Sequence, residues 1–248
     1  MMAGARTFLS RLARDALDVV FPRTCVECGG LVDGGWLRHV CETCARLFVI
    51  ARGPHCTTCG HPFFGEMAGN RLCPHCEELR PVFREGRTAI LLKGPGRTLV
   101  HALKYHRGLH VLEDVTAIMS ATPGYADYLR DAVLVPVPLH PRKLREREYN
   151  QSRLLADCAV RASGGTARIE ELLRRAVDTV SQTRFDRAER ARNLKNAFAL
   201  APGARFSPRQ RYVLLDDVFT TGSTLNSCAA VLRGAGLKNL DVVTFGHG

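Results

Sequence analysis

Two adjacent carboxylates, Asp216 and Asp217, stand two apolar residues before a cluster of hydroxyls around one glycine: Thr220, Thr221, Gly222, Ser223 and Thr224. An ionised carboxylate only accepts hydrogen bonds, so the acid pair suits sugar hydroxyls or a hydrated Mg²⁺. The hydroxyls can donate, and glycine lets the backbone come close to a ligand. The apolar run Tyr212–Leu215 before the acids reads as a buried strand, and from Ser223 the apolar spacing becomes helical, with Leu225, Ala229, Val231 and Leu232. A strand, a turn and a helix start aim backbone N–H groups at one point, where the helix dipole favours an anion. Phosphate, ribose hydroxyls and metal in one place describe phosphoribosyl pyrophosphate (PRPP). The competing reading is a strand-to-helix turn in which Asp and Thr are ordinary caps. The whole fourteen-residue run from Tyr212 to Leu225 argues against it.

A second chemistry lies at the front. Eight of ten cysteines form four Cys-x-x-Cys pairs: Cys25/Cys28, Cys41/Cys44, Cys56/Cys59 and Cys73/Cys76. Such a knuckle turns two thiolates toward one metal, and two knuckles complete a tetrahedron. The expectation is two structural zinc ions held by thiolate alone. Sequential pairing gives two ribbons, Cys25/28/41/44 and Cys56/59/73/76. Interleaved pairing gives a cross-braced module. The sequential form is favoured because each gap suits one short hairpin. His55, His61 and His75 flank the knuckles and are expected outside the ligand set, which four thiolates already fill. Cys158 and Cys228 fall on apolar helix faces and read as small buried hydrophobes.

The elements that must position these groups alternate. Thr88–Lys93 reads as a strand, Thr98–Tyr105 as a short helix, and Leu112–Ser120 and Gly124–Arg130 as helices. Ala132–Val135 is a buried strand that Pro136 ends. Past it, Val137, Pro138, Leu139 and His140 lead into a basic loop with Lys143, Arg145 and Arg147, and Asn150-Gln151-Ser152 opens a helix. This second strand–loop–helix also suits an anion; in a PRPP-binding protein it would hold the pyrophosphate, through Val137–His140, Arg147, Asn150 and Gln151. A solvated basic loop is the plainer alternative. Residues 170–200 are charged and are expected to form a mobile segment or exposed helix. Lys238–Phe245 is the last strand. Alternating strands and helices predict an α/β fold with a mostly parallel sheet flanked by helices.

The chain has 248 residues, enough for one α/β domain and a smaller one. No run of 18 apolar residues occurs, so no membrane span is expected. Ala5–Phe21 has helical apolar spacing interrupted by Arg11, Arg14, Asp15 and Asp18, which reads as an amphipathic helix rather than a signal peptide and predicts a cytoplasmic protein. Net charge is +11, and Arg142–Lys195 holds 14 Lys or Arg against 8 Asp or Glu. Nucleic acid, a polyanionic small substrate and a merely solvated surface are the three readings of that excess.

The run at 212–225 closely resembles the PRPP signature of type I phosphoribosyltransferases. That resemblance implies that Asp216 and Asp217 hold the ribose 2′- and 3′-hydroxyls and that residues 220–224 bind the 5′-phosphate. Nearly the whole chain after residue 22 resembles the ComF family, competence-associated phosphoribosyltransferase-like proteins with a leading double zinc ribbon. The resemblance is carried by the four Cys pairs, Leu103-Lys104-Tyr105, Val135-Pro136-Val137-Pro138-Leu139, Arg147 with Asn150-Gln151, Thr179, Gln182, Arg190, Asn193 and Leu214–Thr224. It implies a double zinc ribbon at 23–80 and a type I phosphoribosyltransferase fold at 81–248, behind the amphipathic helix that the apolar spacing predicts at 1–22. It adds Lys104 to the pyrophosphate set. It also implies displacement of pyrophosphate at ribose C1′ with Mg²⁺ present, and single-stranded DNA or DNA-uptake proteins as partners. The alternative is a non-catalytic PRPP-sensing or DNA-binding adaptor. Where the family usually has Arg-Gly-Phe-Asn-Gln, this chain has Arg147-Glu148-Tyr149-Asn150-Gln151, which removes easy positive φ and adds a negative charge. No general base is evident, since Thr220 stands where purine-salvage relatives often carry an acid.

Overall fold

The computed structural model describes residues 22–66, 68–105, 107–176 and 197–248. The expected N-terminal helix Ala5–Phe21 lies outside them, as do Thr179, Gln182, Arg190 and Asn193.

The strands are β1 (Gly86–Leu91), β2 (Val133–Pro136), β3 (Arg168–Ile169), β4 (Leu173–Arg175), β5 (Phe198–Leu200), β6 (Tyr212–Phe219) and β7 (Leu240–His247). Five of them form one parallel sheet in the order β1-β7-β6-β2-β3. Side chains alternate along each strand and both faces are covered. Val213, Leu215, Val243 and Phe245 enter one core, while Tyr212, Leu214, Leu240 and Val242 enter the other. The helices are α1 (Glu42–Ala45), α2 (Pro74–Leu79), α3 (Pro95–Tyr105), α4 (Leu112–Ala121), α5 (Tyr125–Leu129), α6 (Pro141–Arg147), α7 (Gln151–Ala162) and α8 (Ser223–Gly234). Helices α3, α4, α5 and α7 pack into the first core and α8 into the second. The chain steps from β2 outward to β3, and from β6 the other way to β7, so its direction reverses between β2 and β6. Open α/β sheets bind ligands at that reversal, beyond the carboxyl ends of the strands.

Three expectations are corrected. Strand β6 continues through both acids to Phe219, because β7 pairs with it as far as Phe219↔His247. The basic loop after β2 contains a helix, α6, started by Pro141 at its first position and capped by His140 Nδ1, which accepts from the Arg142 N–H at 3.2 Å. The segment 170–200, expected to be mobile or helical, is paired strand at its described ends, and residues 177–196 lie outside the described residues. Leu173↔Leu200, Arg174↔Ala199 and Arg175↔Phe198 pair as an antiparallel ribbon.

The cysteines form two repeats of one design. In each, a knuckle is closed by a hydrogen bond back to its first cysteine, Gly29 N–H to Cys25 at 2.8 Å and Gly60 N–H to Cys56 at 2.9 Å. In each, the second pair sits at a helix start, with Cys41 immediately before α1 and Cys73 immediately before α2. Between the repeats, Val49–Ala51 covers the open edge of β1: Leu91 N–H donates to Val49 at 2.9 Å and Ala51 N–H to Ala89 at 2.8 Å. The second knuckle presses on β1 so closely that a Cβ on Gly86 would lie 2.1 Å from the Thr58 carbonyl oxygen.

Candidate functional site

The acids, the hydroxyl loop and Lys104 converge at the carboxyl ends of β6 and β2. Asp216 Oδ1 accepts two hydrogen bonds, from Ser152 Oγ at 2.9 Å and from the Asp217 N–H at 2.9 Å. Ser152 is fully buried in the first turn of α7. Burial and the neighbouring Asp217 charge push the Asp216 carboxyl up to about 7, with the Asp217 N–H, Lys104 and Ser152 pulling the other way. Asp217 is buried and pairs through Oδ1 with Lys104 Nζ at 3.1 Å. Its other oxygen, Oδ2, is buried without a hydrogen-bond partner.

Beyond the acids, residues 220–225 line a small open depression together with Asp216 and Val218. Gly222 begins α8 at φ +71°. A Cβ there would lie 2.5 Å from Phe219 Cζ and 2.7 Å from Leu79 Cδ2, so both backbone angle and space require glycine. Gly222 has no side chain to cap α8, its first N–H groups have no partner within the helix, and the Ser223 N–H donates to Thr221 Oγ1 at 3.4 Å. Thr221 and Ser223 share a hydroxyl contact at 3.0 Å. The arrangement offers donors to an anion from the loop and acceptors from the acids beside it. Leu79 belongs to α2, so the second cysteine repeat supports this loop from below.

The segment after β2 approaches from the other side. Arg147 Nη1 donates to Gln151 Oε1 at 3.0 Å, and its guanidinium lies over the Tyr105 ring at 5.4 Å. Tyr149 hydroxyl donates to the Leu103 carbonyl at 2.6 Å, tying this segment to the turn that carries Lys104. Several of the sequence candidates here are engaged internally. Val137 donates its N–H to Leu215 and accepts from Asn150 Nδ2 at 3.0 Å, and His140 caps α6. Pro138 and Leu139 lead half-buried from β2 into α6. Glu148 ends α6 at φ +68°, the conformation in which the family's glycine is at ease. Sequence reasoning missed Ser152 as a site residue. Its signal was a small hydroxyl two residues past a helix cap, on a helix whose next apolar residues face the sheet.

Each cysteine repeat gathers its four Sγ atoms within 4.8 Å of one another: Cys25, Cys28, Cys41 and Cys44, then Cys56, Cys59, Cys73 and Cys76. The pairing is sequential. Within each repeat the two knuckles meet, Cys28 Sγ lying 3.8 Å from Cys41 Sγ and Cys59 Sγ 3.9 Å from Cys73 Sγ. A tetrahedron with Zn–S of about 2.3 Å has S–S edges of about 3.8 Å, so the donor sets fit zinc in size and in chemistry. Four thiolates leave no open position, which makes both sites structural. His55, His61 and His75 are outside both groups, and Cys158 and Cys228 are fully buried.

The class defined so far is a helix-flanked parallel α/β sheet fronted by two tetracysteine zinc sites. Residues 16–77 match the double zinc ribbon domain. The chain is 32% identical over 213 residues to DNA utilization protein YhgH of Salmonella typhi, covering 82% of this chain and 88% of that one. It is 27% identical over 228 residues to competence protein F of Haemophilus influenzae, covering 88% and 94%. It is 25% identical over 203 residues to competence protein ComFC of Bacillus subtilis, covering 79% of each. The chain belongs to the ComF family. A superposition on hypoxanthine phosphoribosyltransferase from Staphylococcus aureus covers 55% of this chain and 64% of that one, at 15% identity and a TM-score of 0.36. Among the described residues, no helix is long and apolar enough to cross a membrane.

Proposed function

We propose that the site binds PRPP and supports displacement of its pyrophosphate at ribose C1′. The observation that carries this reading is a hydroxyl loop at a helix N-terminus around a depression that Asp216 also lines, with Asp217 next along the strand and paired with Lys104. That loop, Thr220 to Thr224, takes the 5′-phosphate through backbone N–H and hydroxyl donors. Asp216 and Asp217 accept from the ribose hydroxyls. Lys104, paired with Asp217, and Arg147, over the Tyr105 ring, would counter the charge of a group at C1′. The oxygen donors Asp216 and Asp217 suit a hydrated Mg²⁺, which would neutralise the leaving pyrophosphate. No acid stands at position 220 to serve as a general base, so the acceptor is already nucleophilic or is activated by another segment. The test is pyrophosphate release from PRPP across candidate acceptors. Release with one acceptor, lost in Asp217→Asn, fits turnover; PRPP binding without release from any acceptor fits a sensor.

The relatives' names favour a second reading alongside it, a part in DNA utilisation or competence through single-stranded DNA or DNA-uptake proteins. The net charge of +11 is compatible with that partner. Non-specific binding through about six phosphates would give a log–log salt slope of roughly −4 on single strands. Absence of binding at low salt would remove it.

A further inference from the structure

We infer that Lys104 is a gate on the sugar site, opened by an anion bound next to it. The inference rests on the reading of Asp216 and Asp217 as a diol site. In the structure described, Lys104 competes with a sugar hydroxyl for Asp217. Its Oδ1 is paired with Lys104 Nζ at 3.1 Å, and its Oδ2 is sealed from solvent without a partner. A carboxylate buried with one oxygen unsatisfied is a costly arrangement, and it is relieved when a donor reaches Oδ2. The Asp217 side chain is only 8% exposed, and on this inference movement of the ammonium is what admits the donor.

Lys104 is equipped to move, whereas its surroundings are not. It is a point charge on a four-carbon stem in the last turn of α3, and its side chain keeps 25% exposure. The backbone beneath it is fixed by Tyr149, which bonds the Leu103 carbonyl, and the neighbouring Tyr105 ring lies under the Arg147 guanidinium. Only the stem has freedom. Leaving Asp217 unaided would strand two opposite charges in a poorly solvated site. A second anion beside Arg147 gives the ammonium another partner and exposes the Asp217 acceptors to the diol. The two halves of the ligand therefore recruit each other. The favoured class is a sugar phosphate with a second, strongly anionic substituent at C1, over a sugar monophosphate alone.

Coupling of this kind is reciprocal, so it can be read without a mutant. Ribose-5-phosphate is titrated calorimetrically into the full chain in Mg²⁺ buffer, with and without saturating inorganic pyrophosphate. The gate predicts that pyrophosphate tightens ribose-5-phosphate by about fivefold or more, and that ribose-5-phosphate tightens pyrophosphate equally. In folded Lys104→Met the acid is free, so the coupling should vanish while ribose-5-phosphate binds tighter than in wild type. Ribose-5-phosphate binding that is unchanged or weakened by pyrophosphate overturns the gate and leaves the diol reading standing. Wild type that binds neither ribose-5-phosphate nor PRPP overturns the diol reading, and the gate with it.

Discussion

Glu148 and Arg107 form an ion pair in which both residues hold left-handed backbone, at φ +68° and +48°. They close the segment after β2 against the turn that follows α3. Left-handed backbone costs a non-glycine residue about 1–2 kcal/mol. The ion pair is exposed and returns at most about 1 kcal/mol. Glu148→Ala loses the pair and keeps the strain, whereas Glu148→Gly loses the pair and the strain. The glycine variant should be the more stable of the two by about 1 kcal/mol in urea unfolding. Equal stability would mean that the angle costs nothing here. Removing this negative charge should also tighten PRPP.

Zinc is expected at two ions per chain, with the two sites separable. Cys25→Ser should lose one ion and leave the Cys56–Cys76 site loaded, since the ligand sets share no residue. Loss of both ions in elemental analysis would contradict the sequential sets. Cys56→Ser should have a wider effect, because α2 of the second repeat puts Leu79 under Gly222. It should weaken phosphate binding at residues 220–224, and Cys25→Ser should not.

Asp241 is buried at the opposite end of the sheet, between Arg84 at 3.1 Å and Arg211 at 2.7 Å. Asp241→Asn leaves two guanidinium groups without their counter-charge. Breaking a buried pair costs about 3–5 kcal/mol, but both arginines are partly exposed, so about 2 kcal/mol is expected. Ligand binding should be unchanged in protein that remains folded. A stability loss below about 0.5 kcal/mol would show that water replaces the acid adequately.

Asp216 makes stability depend on pH. Its carboxyl sits at about 7 in the fold, against about 3.9 in an unfolded chain. The folded state therefore holds the proton more tightly. The contribution is fully present below about pH 4 and is lost as pH rises toward 7. Asp216→Asn carries no charge at any pH. Relative to wild type it should gain about 2–4 kcal/mol between pH 4 and pH 8. The same stability difference at both pH values, measured by urea unfolding, would contradict the cause given for the shift.

Much of this architecture was legible where one local signal sufficed. Tyr212–Leu215 announced its strand by apolar content, Asn150 its helix by a cap, and the cysteines their sites by spacing. The remainder depends on contacts between distant residues. Asp216 and Asp217 interrupt the apolar run, and only pairing with β7 carries β6 past them. Helix α6 has no apolar stripe to reveal it, its one large apolar residue, Leu144, being exposed. The β4–β5 ribbon joins ends separated by a long charged stretch. The Lys104–Asp217 pair joins two motifs that were each readable, but its state was not, because no spacing encodes which partner an ammonium chooses.

The most direct measurement is calorimetric titration of Mg-PRPP into wild type and Asp217→Asn, with thermal unfolding alongside. At a hundred times its dissociation constant, PRPP should stabilise wild type by about 2.7 kcal/mol. A hydrogen bond to a charged group is worth about 1.5–3 kcal/mol, so Asp217→Asn should bind about ten- to a hundredfold more weakly. A wild type that shows neither heat nor stabilisation, or an Asp217→Asn variant that binds as tightly as wild type, would contradict the account.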